Sequence, residues 1–174
     1  MLLPVFVWAD EIHCCLPRPA VGDVVEWRLQ FKDRLGHGEH GRPGPTRLAV
    51  VGRRVERENY AGEYAVRLDG DGICLYWDGG GSRVGPLDVS GYIEEDSHGY
   101  VPESLPSTHA VVRGIEVEVR DVVPVLAGLP PWKWATTLPR YRSVAQSPQW
   151  FRNSQPVDDT METGIVVTLE IGRT

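Results

Sequence analysis

The segment RLAVVGRRVER, residues 47–57, has the composition of an extended strand rather than of a helix. Its branched valines favour β-structure, and glycine and proline precede it. Valine-rich segments of the same kind recur at 21–29, 64–68, 73–77, 111–125 and 164–171. Nineteen glycines and 14 prolines supply the turns that many short strands need. The pattern predicts an all-β protein with a long aromatic loop, formed either from two small SH3-like or OB-like barrel units or from one continuous barrel or sandwich.

An internal similarity suggests how such a fold arises. Two pairs of segments align when the chain is compared with itself: VGDVVEW (21–27) with VGPLDVS (84–90), and TRLAVVGRRVE (46–56) with THAVVRGIEVE (108–118). The second alignment matches Gly52 with Gly114. Tandem duplication of a small β unit, residues 21–56 and 84–118, explains the match. Chance similarity between valine-glycine strands is the alternative. In both cases we expect residues 1–174 to form a single compact domain, because this length supports one proper core.

Charge and hydropathy restrict the function classes. The net charge of −6 makes nucleic acid an unlikely partner, because nucleic-acid binding rests on excess positive charge. No run reaches the roughly 18 apolar residues of a membrane span. The apolar start, MLLPVFVWAD (1–10), lacks a basic region and a cleavage site, so we expect no signal peptide. We therefore predict a cytoplasmic location and no membrane partner.

An aromatic loop, residues 124–156, is the strongest candidate for a binding surface. It interleaves tryptophan and tyrosine with arginine, which together can stack on planar ligands, grip anions or form interface hot spots. The alternative is a loop that covers the barrel with its own tryptophans. We expect Trp134 and Trp150 to pack inward and the others to stay partly exposed. The predicted binding residues are Trp132, Trp134, Arg140, Tyr141, Arg142, Trp150 and Arg152.

The run EIHCC, residues 11–15, raises the question of a metal or redox site. Structural zinc needs about four ligands, usually as two close pairs, and no second cysteine pair exists. The histidines at 13, 37, 40, 98 and 109 and Cys74 are the remaining candidates. A vicinal disulfide between Cys14 and Cys15 would be strained, so we expect three free thiols, packed in the core as free cysteines often are. We assign no metal ligands and no cofactor from the sequence.

A second polar cluster precedes His98. Glu94, Glu95 and Asp96 can form an acid–base cluster or bind a cation. More often, a run of charged residues lies in water at the edge of a sheet, where it prevents pairing with a further strand. We favour that interpretation. His98 itself, followed by glycine, is interpreted as part of a polar turn.

The opening VWAD (7–10), CC (14–15), two prolines and VGDVVEW (21–27) resembles an uncharacterised actinobacterial family with a VW-x-D, CC, P and VGD-x-V-x-W opening. The stretch GYIEEDSHGYVPESLP (91–106) and GIVVTLEI (164–171) are also similar to that family. The family is a domain of unknown function. The resemblance therefore implies a source and a shared fold, and it supplies no activity and no catalytic residues.

We predict a non-enzymatic binding or protein-interaction module, with a protein or a small molecule of unknown identity as its partner. The rival hypothesis is a small enzyme, metal-assisted in one version, built around Cys14, Cys15 and the histidines.

Overall fold

The computed structural model describes residues 1–33, 44–57, 63–81, 83–121, 138–152 and 160–172. Within these ranges the chain is almost entirely β-structure, with ten strands, one six-residue α-helix and one short 3-10 helix (Asp78–Gly80). The helix α1 spans Ala9–Cys14. The strands are β1 Leu2–Trp8, β2 Val24–Trp27, β3 Leu29–Lys32, β4 Thr46–Glu56, β5 Tyr64–Gly70, β6 Ile73–Trp77, β7 Gly85–Glu95, β8 Thr108–Asp121, β9 Arg140–Val144 and β10 Thr160–Glu170.

Strand β4 shows how the valine-rich segments become strands. Leu48, Val50 and Gly52 face inward, while the residues between them are exposed. This alternation places one face of the strand on a core and the other in water, as the period of two requires. The β-branched composition read from the sequence therefore corresponds to half-buried strands.

Five strands close into a barrel. β3 pairs with β6 and β7, β5 pairs with β6 and β4, and β4 pairs in turn with β7, which completes the ring. β7 changes partner along its length, from β4 over residues 85–91 to β3 over residues 92–95. Gly91 lies at the change, where a Cβ atom would collide with the Lys32 carbonyl oxygen and the Phe31 ring. Only glycine fits so close an approach.

The remaining strands extend the sheet from β7. β1 meets β7 through the Phe6–Glu94 bridge and pairs along its whole length with β10. β10 pairs with β8, whose far edge is covered by β2 near residue 110 and by β9 near residue 117. β7 is therefore the strand that joins the barrel to the outer sheet.

One apolar core runs through both parts of the sheet. It contains Phe31, Leu75 and Trp77 from the barrel together with Val117 and Ile165 from the outer strands. A smaller cluster, formed by Ala65, Cys74, Tyr76, Val101 and Leu105, lies under the segment that follows β7. Thr108 fixes this segment to the barrel, because its Oγ1 accepts a hydrogen bond of 3.2 Å from the Cys74 backbone N–H.

The all-β prediction is confirmed, in the form of one closed five-stranded barrel with additional strands. The internal repeat stays a prediction: its matched strands β4 and β8 have different partners, with Gly52 opposite Leu68 and Gly85 and Gly114 opposite Thr168. Among the described residues, no helix is long and apolar enough to cross a membrane.

Candidate functional site

The short helix α1 introduces the first residue of the candidate site. It begins directly after β1, and its Glu11 side chain reaches back to accept a 3.1 Å hydrogen bond from the Trp8 backbone N–H. This is half of a capping box, and it satisfies an N–H group at the start of the helix. Glu11 is only 5% exposed, so the contact holds its carboxylate in the interior of the molecule.

The carboxyl groups at the end of β7 are also buried, since Glu94, Glu95 and Asp96 are at most 7% exposed. The interpretation of this run as a solvated edge is wrong. β7 is not an edge strand here, because it pairs with β3 through Leu29 opposite Glu95 and with β1 through Phe6 opposite Glu94. Residues of α1, the barrel and the loop after β7 lie against these side chains and cover them.

Asp96 shapes the loop that follows. Its carboxylate accepts hydrogen bonds from the backbone N–H groups of Tyr100, at 3.1 Å, and Val101. Gly99 has a φ of 80°, in the region that favours glycine. The loop is thereby fixed in one conformation, and His98 is held at its tip.

Glu95 is the most perturbed of these groups. Burial raises the pKa of its carboxyl group to about 8, and the negative charges of Glu11 and Asp96 act in the same direction. Its Oε2 atom has no hydrogen-bond partner among the described residues. At neutral pH the Glu95 side chain therefore holds its proton. Buried, unpartnered and shifted carboxyl groups occur preferentially at functional sites.

The carboxyl groups of Glu11, Glu94 and Glu95 line one pocket, with a volume of about 580 Å³, between α1, the barrel and the loop after β7. Arg57 lies on its wall, where it contacts Glu63 at 2.7 Å and Asp78 at 3.0 Å. The acidic and basic residues of the lining are Glu11, Lys32, Arg57, Asp78, Glu94, Glu95 and His98, and its aromatic residues are Trp8, Tyr76 and Tyr100. The pocket thus combines buried acids with aromatic surfaces.

A sulfur-containing cluster lies at the rim of this pocket. Cys14 and Cys15 form a vicinal disulfide, and the Cys14 Sγ atom is 3.6 Å from His98 Nε2. The other ring nitrogen, His98 Nδ1, is 3.6 Å from Glu11 Oε1. The interpretation of His98 as only part of a polar turn is therefore incomplete, because it omits these two contacts. The ring of His13 lies instead beside Trp150, 4.8 Å from its ring.

The expectation of three free, buried cysteines is wrong for two of them. Cys14 and Cys15 are exposed because they lie at the C-terminal end of α1, beyond the part of the helix that packs on the sheet. Cys74 alone is a free buried thiol, and burial raises its pKa.

The predicted aromatic loop is only partly described. Trp132 and Trp134 lie outside the described residues. Arg140, Tyr141 and Arg142 lie on β9, and each contacts an acidic residue of a neighbouring strand. Arg140 pairs with Asp121, the Tyr141 hydroxyl donates to Glu118 Oε2 at 3.2 Å, and Arg142 pairs with Glu162 at 2.9 Å. Their role as a binding surface stays a prediction.

At the end of the aromatic loop, the burial of the aromatic side chains differs from the prediction. Trp150 is 73% exposed, so the expectation that it packs inward is wrong. The adjacent Phe151 takes the buried position instead, and the Arg152 backbone N–H donates to Glu162 Oε2 at 3.3 Å. Of the two adjacent aromatic residues, Phe151 is the one that enters the core.

Sequence reasoning named the acids of β7 but did not place them with Glu11, Lys32 or Trp8. The signal for Glu94 and Glu95 was their position at the end of an apolar strand. The other residues come from distant segments, and only the closure of the barrel brings them together.

The fold and this pocket define a small all-β protein with one closed barrel and a group of buried carboxyl groups at its edge. The chain belongs to the family of unknown function DUF6578, whose family model matches residues 1–171. The expected resemblance to an uncharacterised domain is confirmed to that extent. No curated protein and no solved structure matches the chain.

Proposed function

We propose that this protein is a non-enzymatic binding module whose pocket takes a small organic cation with an ammonium group. The observation that carries the proposal is the Glu95 carboxyl group, 5% exposed, with an Oε2 atom that has no hydrogen-bond partner among the described residues. A buried polar atom without a partner is costly, and a ligand that donates a hydrogen bond to it removes that cost.

The charge of the pocket supports a cationic ligand. Among the described residues, its lining contains the carboxyl groups of Glu11, Asp78, Glu94 and Glu95 and, apart from His98, two basic side chains, those of Lys32 and Arg57. Arg57 is engaged with Glu63 and Asp78. A positive charge placed near Glu11 and Glu95 would favour the ionised form of Glu95, because it offsets the negative charge of Glu11.

The aromatic side chains support an organic ion rather than a bare metal ion. Trp8, Tyr76 and Tyr100 line the same pocket, and the faces of such rings attract ammonium groups. Tyr76 is buried and Tyr100 is 73% exposed, which places one ring at depth and one at the mouth. A ligand with an alkyl part and a charged head fits both kinds of surface.

Calorimetric titration with butylamine and 1,4-diaminobutane, whose ammonium groups can donate a hydrogen bond, tests this proposal. For each amine the matched control is the uncharged alcohol of the same chain length, butan-1-ol or butane-1,4-diol. We expect an ammonium compound to bind at least about tenfold more tightly than its matched alcohol, a difference of about 1.4 kcal/mol. The proposal fails if none of the charged compounds binds better than its neutral counterpart.

Two glutamine variants test whether the ammonium compound binds inside the pocket. Glu95→Gln should weaken the binding of the ammonium compound by at least about tenfold, because the buried charge partner is lost. Glu103→Gln, on the exposed surface close to the pocket, should leave it unchanged. Equal effects of the two changes would mean that the cation binds outside the pocket.

An enzyme is the second candidate, and the same pair of carboxyl groups favours it. A protonated Glu95 beside Glu11 resembles the paired acids that donate and accept protons in general acid–base catalysis. Turnover of a bound amine by the wild type, with loss of turnover in Glu95→Gln, would favour this candidate over simple binding.

Three expectations from the sequence stay proposals beside this one. They are the actinobacterial source, the cytoplasmic location and the recruitment of a protein partner by the β9 arginines.

A further inference from the structure

The rim of the pocket brings together three side chains that bind metals. The Sγ atoms of Cys14 and Cys15 and a ring nitrogen of His98 all lie within 4.8 Å of one another. We propose that this cluster, once its disulfide is reduced, binds one Zn²⁺ ion. The proposed zinc site lies at the rim of the same pocket and shares Glu11 and His98 with its lining, but it does not require that the pocket binds an organic cation.

The end of α1 explains how two adjacent cysteines can face one ion. On a strand, neighbouring side chains point in opposite directions. Here Cys14 is the last helical residue and Cys15 caps the helix, with its backbone N–H donating to the Glu11 carbonyl oxygen at 2.9 Å. The chain leaves the helix at this point, and both sulfur atoms lie on the same side, facing His98.

The surroundings of His98 orient its ring for ligation. Glu11 Oε1 is 3.6 Å from Nδ1, and the same carboxylate is anchored through Oε2 by the Trp8 backbone N–H. A carboxylate beside Nδ1 favours the tautomer with its proton on that nitrogen, which leaves the lone pair of Nε2 facing the Cys14 sulfur. Histidine ligands of metals commonly have such a carboxylate behind them.

The loop that bears His98 is also fixed before any ion binds. Asp96 accepts hydrogen bonds from the backbone N–H groups of Tyr100 and Val101, so the histidine stands between two anchored segments. A preorganised ligand loses little conformational entropy on binding.

The redox state of the sulfurs controls the site. In the disulfide the two sulfur atoms are bonded to each other and offer no thiolate. A dithiol reductant supplies two electrons and two protons, which breaks the S–S bond and forms two thiols while the reductant becomes a disulfide. Binding of Zn²⁺ then releases the two thiol protons to solvent. Thiolate and imidazole are the donors that zinc prefers, and two cysteines with one histidine leave the fourth position for water.

Zinc titration of the reduced protein, against a chromophoric chelator, tests the proposal. Thiol counting first confirms that Cys14 and Cys15 are reduced. We expect one Zn²⁺ per chain in the reduced wild type and none at this site in the oxidised protein. Cobalt in place of zinc should give sulfur-to-metal charge-transfer absorption, which reports thiolate ligation directly.

The variants separate the ligands from other zinc-binding groups. Changing both Cys14 and Cys15 to serine should abolish the binding, and His98→Ala should weaken it by at least about tenfold. His109→Ala is the matched control, since that histidine is exposed and lies beside Glu26 on the opposite edge of the sheet. All of the altered side chains are exposed, so a thermal melt should confirm that each variant folds.

The proposal is overturned if the reduced wild type binds zinc no more tightly than the double serine variant, whose one remaining thiol is the buried Cys74. It is also overturned if His98→Ala binds zinc as tightly as the wild type.

Discussion

Glu11 and Glu95 meet at one pocket although α1 and β7 are far apart in the chain, and the negative charge of Glu11 helps to raise the pKa of Glu95. Each group is held by its own element. Glu11 is fixed by the cap of the helix, and Glu95 by the pairing of β7 with β3. Burial is the main cause of the raised pKa of Glu95, and the negative charge of Glu11 adds to it, so Glu95 holds its proton.

Glu95 should make the protein less stable as the pH rises. Its pKa is 4.5 ordinarily and about 8 in the folded state, so between these values the folded state binds more protons than the unfolded one. The free energy of unfolding should fall across this window by at most about 1.4 kcal/mol per pH unit. Urea unfolding at several pH values measures the slope. Glu95→Gln should flatten it, whereas Glu103→Gln should not.

Binding of an ammonium compound should release protons below about pH 8, because the cation favours the ionised form of Glu95. The affinity should therefore increase with pH by up to about tenfold per unit and level off above the pKa. Calorimetry in buffers of different protonation enthalpy counts the protons. A count of zero near pH 7 would contradict the role of Glu95.

The glycines matched by the internal repeat should tolerate substitution differently. A Cβ atom at Gly52 would lie 2.7 Å from the Arg83 carbonyl oxygen and 2.8 Å from Leu87, whereas at Gly114 it would meet only Thr168 at 3.8 Å. Gly52→Ala should therefore cost about 1–3 kcal/mol of stability through overpacking. Gly114→Ala should stay within about 0.5 kcal/mol of the wild type. Equal melting temperatures for the two variants would contradict this difference.

Removal of the Asp96 side chain should release the loop that presents His98. Asp96→Ala leaves the backbone N–H groups of Tyr100 and Val101 without their acceptor, and we expect a loss of about 1–3 kcal/mol. Asp88→Ala, at an exposed position of β7, the strand that precedes Asp96, is the control and should change stability by less than about 0.5 kcal/mol. Denaturant unfolding of both variants provides the comparison.

The double change of Arg140 and Arg142 to alanine should leave the melting temperature nearly unchanged. Both arginines are more than half exposed in their pairs with Asp121 and Glu162, and such surface ion pairs contribute at most about 1 kcal/mol each. If the aromatic loop recruits a partner, the same double variant should lose it in a pull-down. Unfolding of the double variant would instead make these arginines structural.

The strands were predictable from the sequence because their signal is local. Branched valines between turn residues mark β4 and β10 without reference to the rest of the chain. The closure of the barrel was not predictable to the same degree, since it depends on β4 and β7 meeting each other at long range.

The site was harder to predict for a related reason. Whether Glu94 and Glu95 are solvated or buried depends on what packs over their side chains, and Trp8 and Glu11, which lie near them in the pocket, come from a distant part of the sequence. Cys14 and Cys15 were assigned to the core on residue type alone. Their actual exposure follows from the short helix α1, whose six residues are too few to give a clear periodic signal.

The antiparallel pairing of Leu2–Trp8 with Thr160–Glu170 has a consequence for synthesis on the ribosome. β1 is synthesised before all of the barrel strands, whereas its principal neighbour β10 is synthesised after them. The barrel strands can pair with one another earlier, whereas β1 has no principal partner until β10 has been synthesised. Glu11 and the two adjacent cysteines follow β1 directly in the chain. Contacts at such sequence separation form slowly, and unpaired strands are prone to aggregation in the meantime. The pocket is therefore completed late in folding, after the barrel on which it rests.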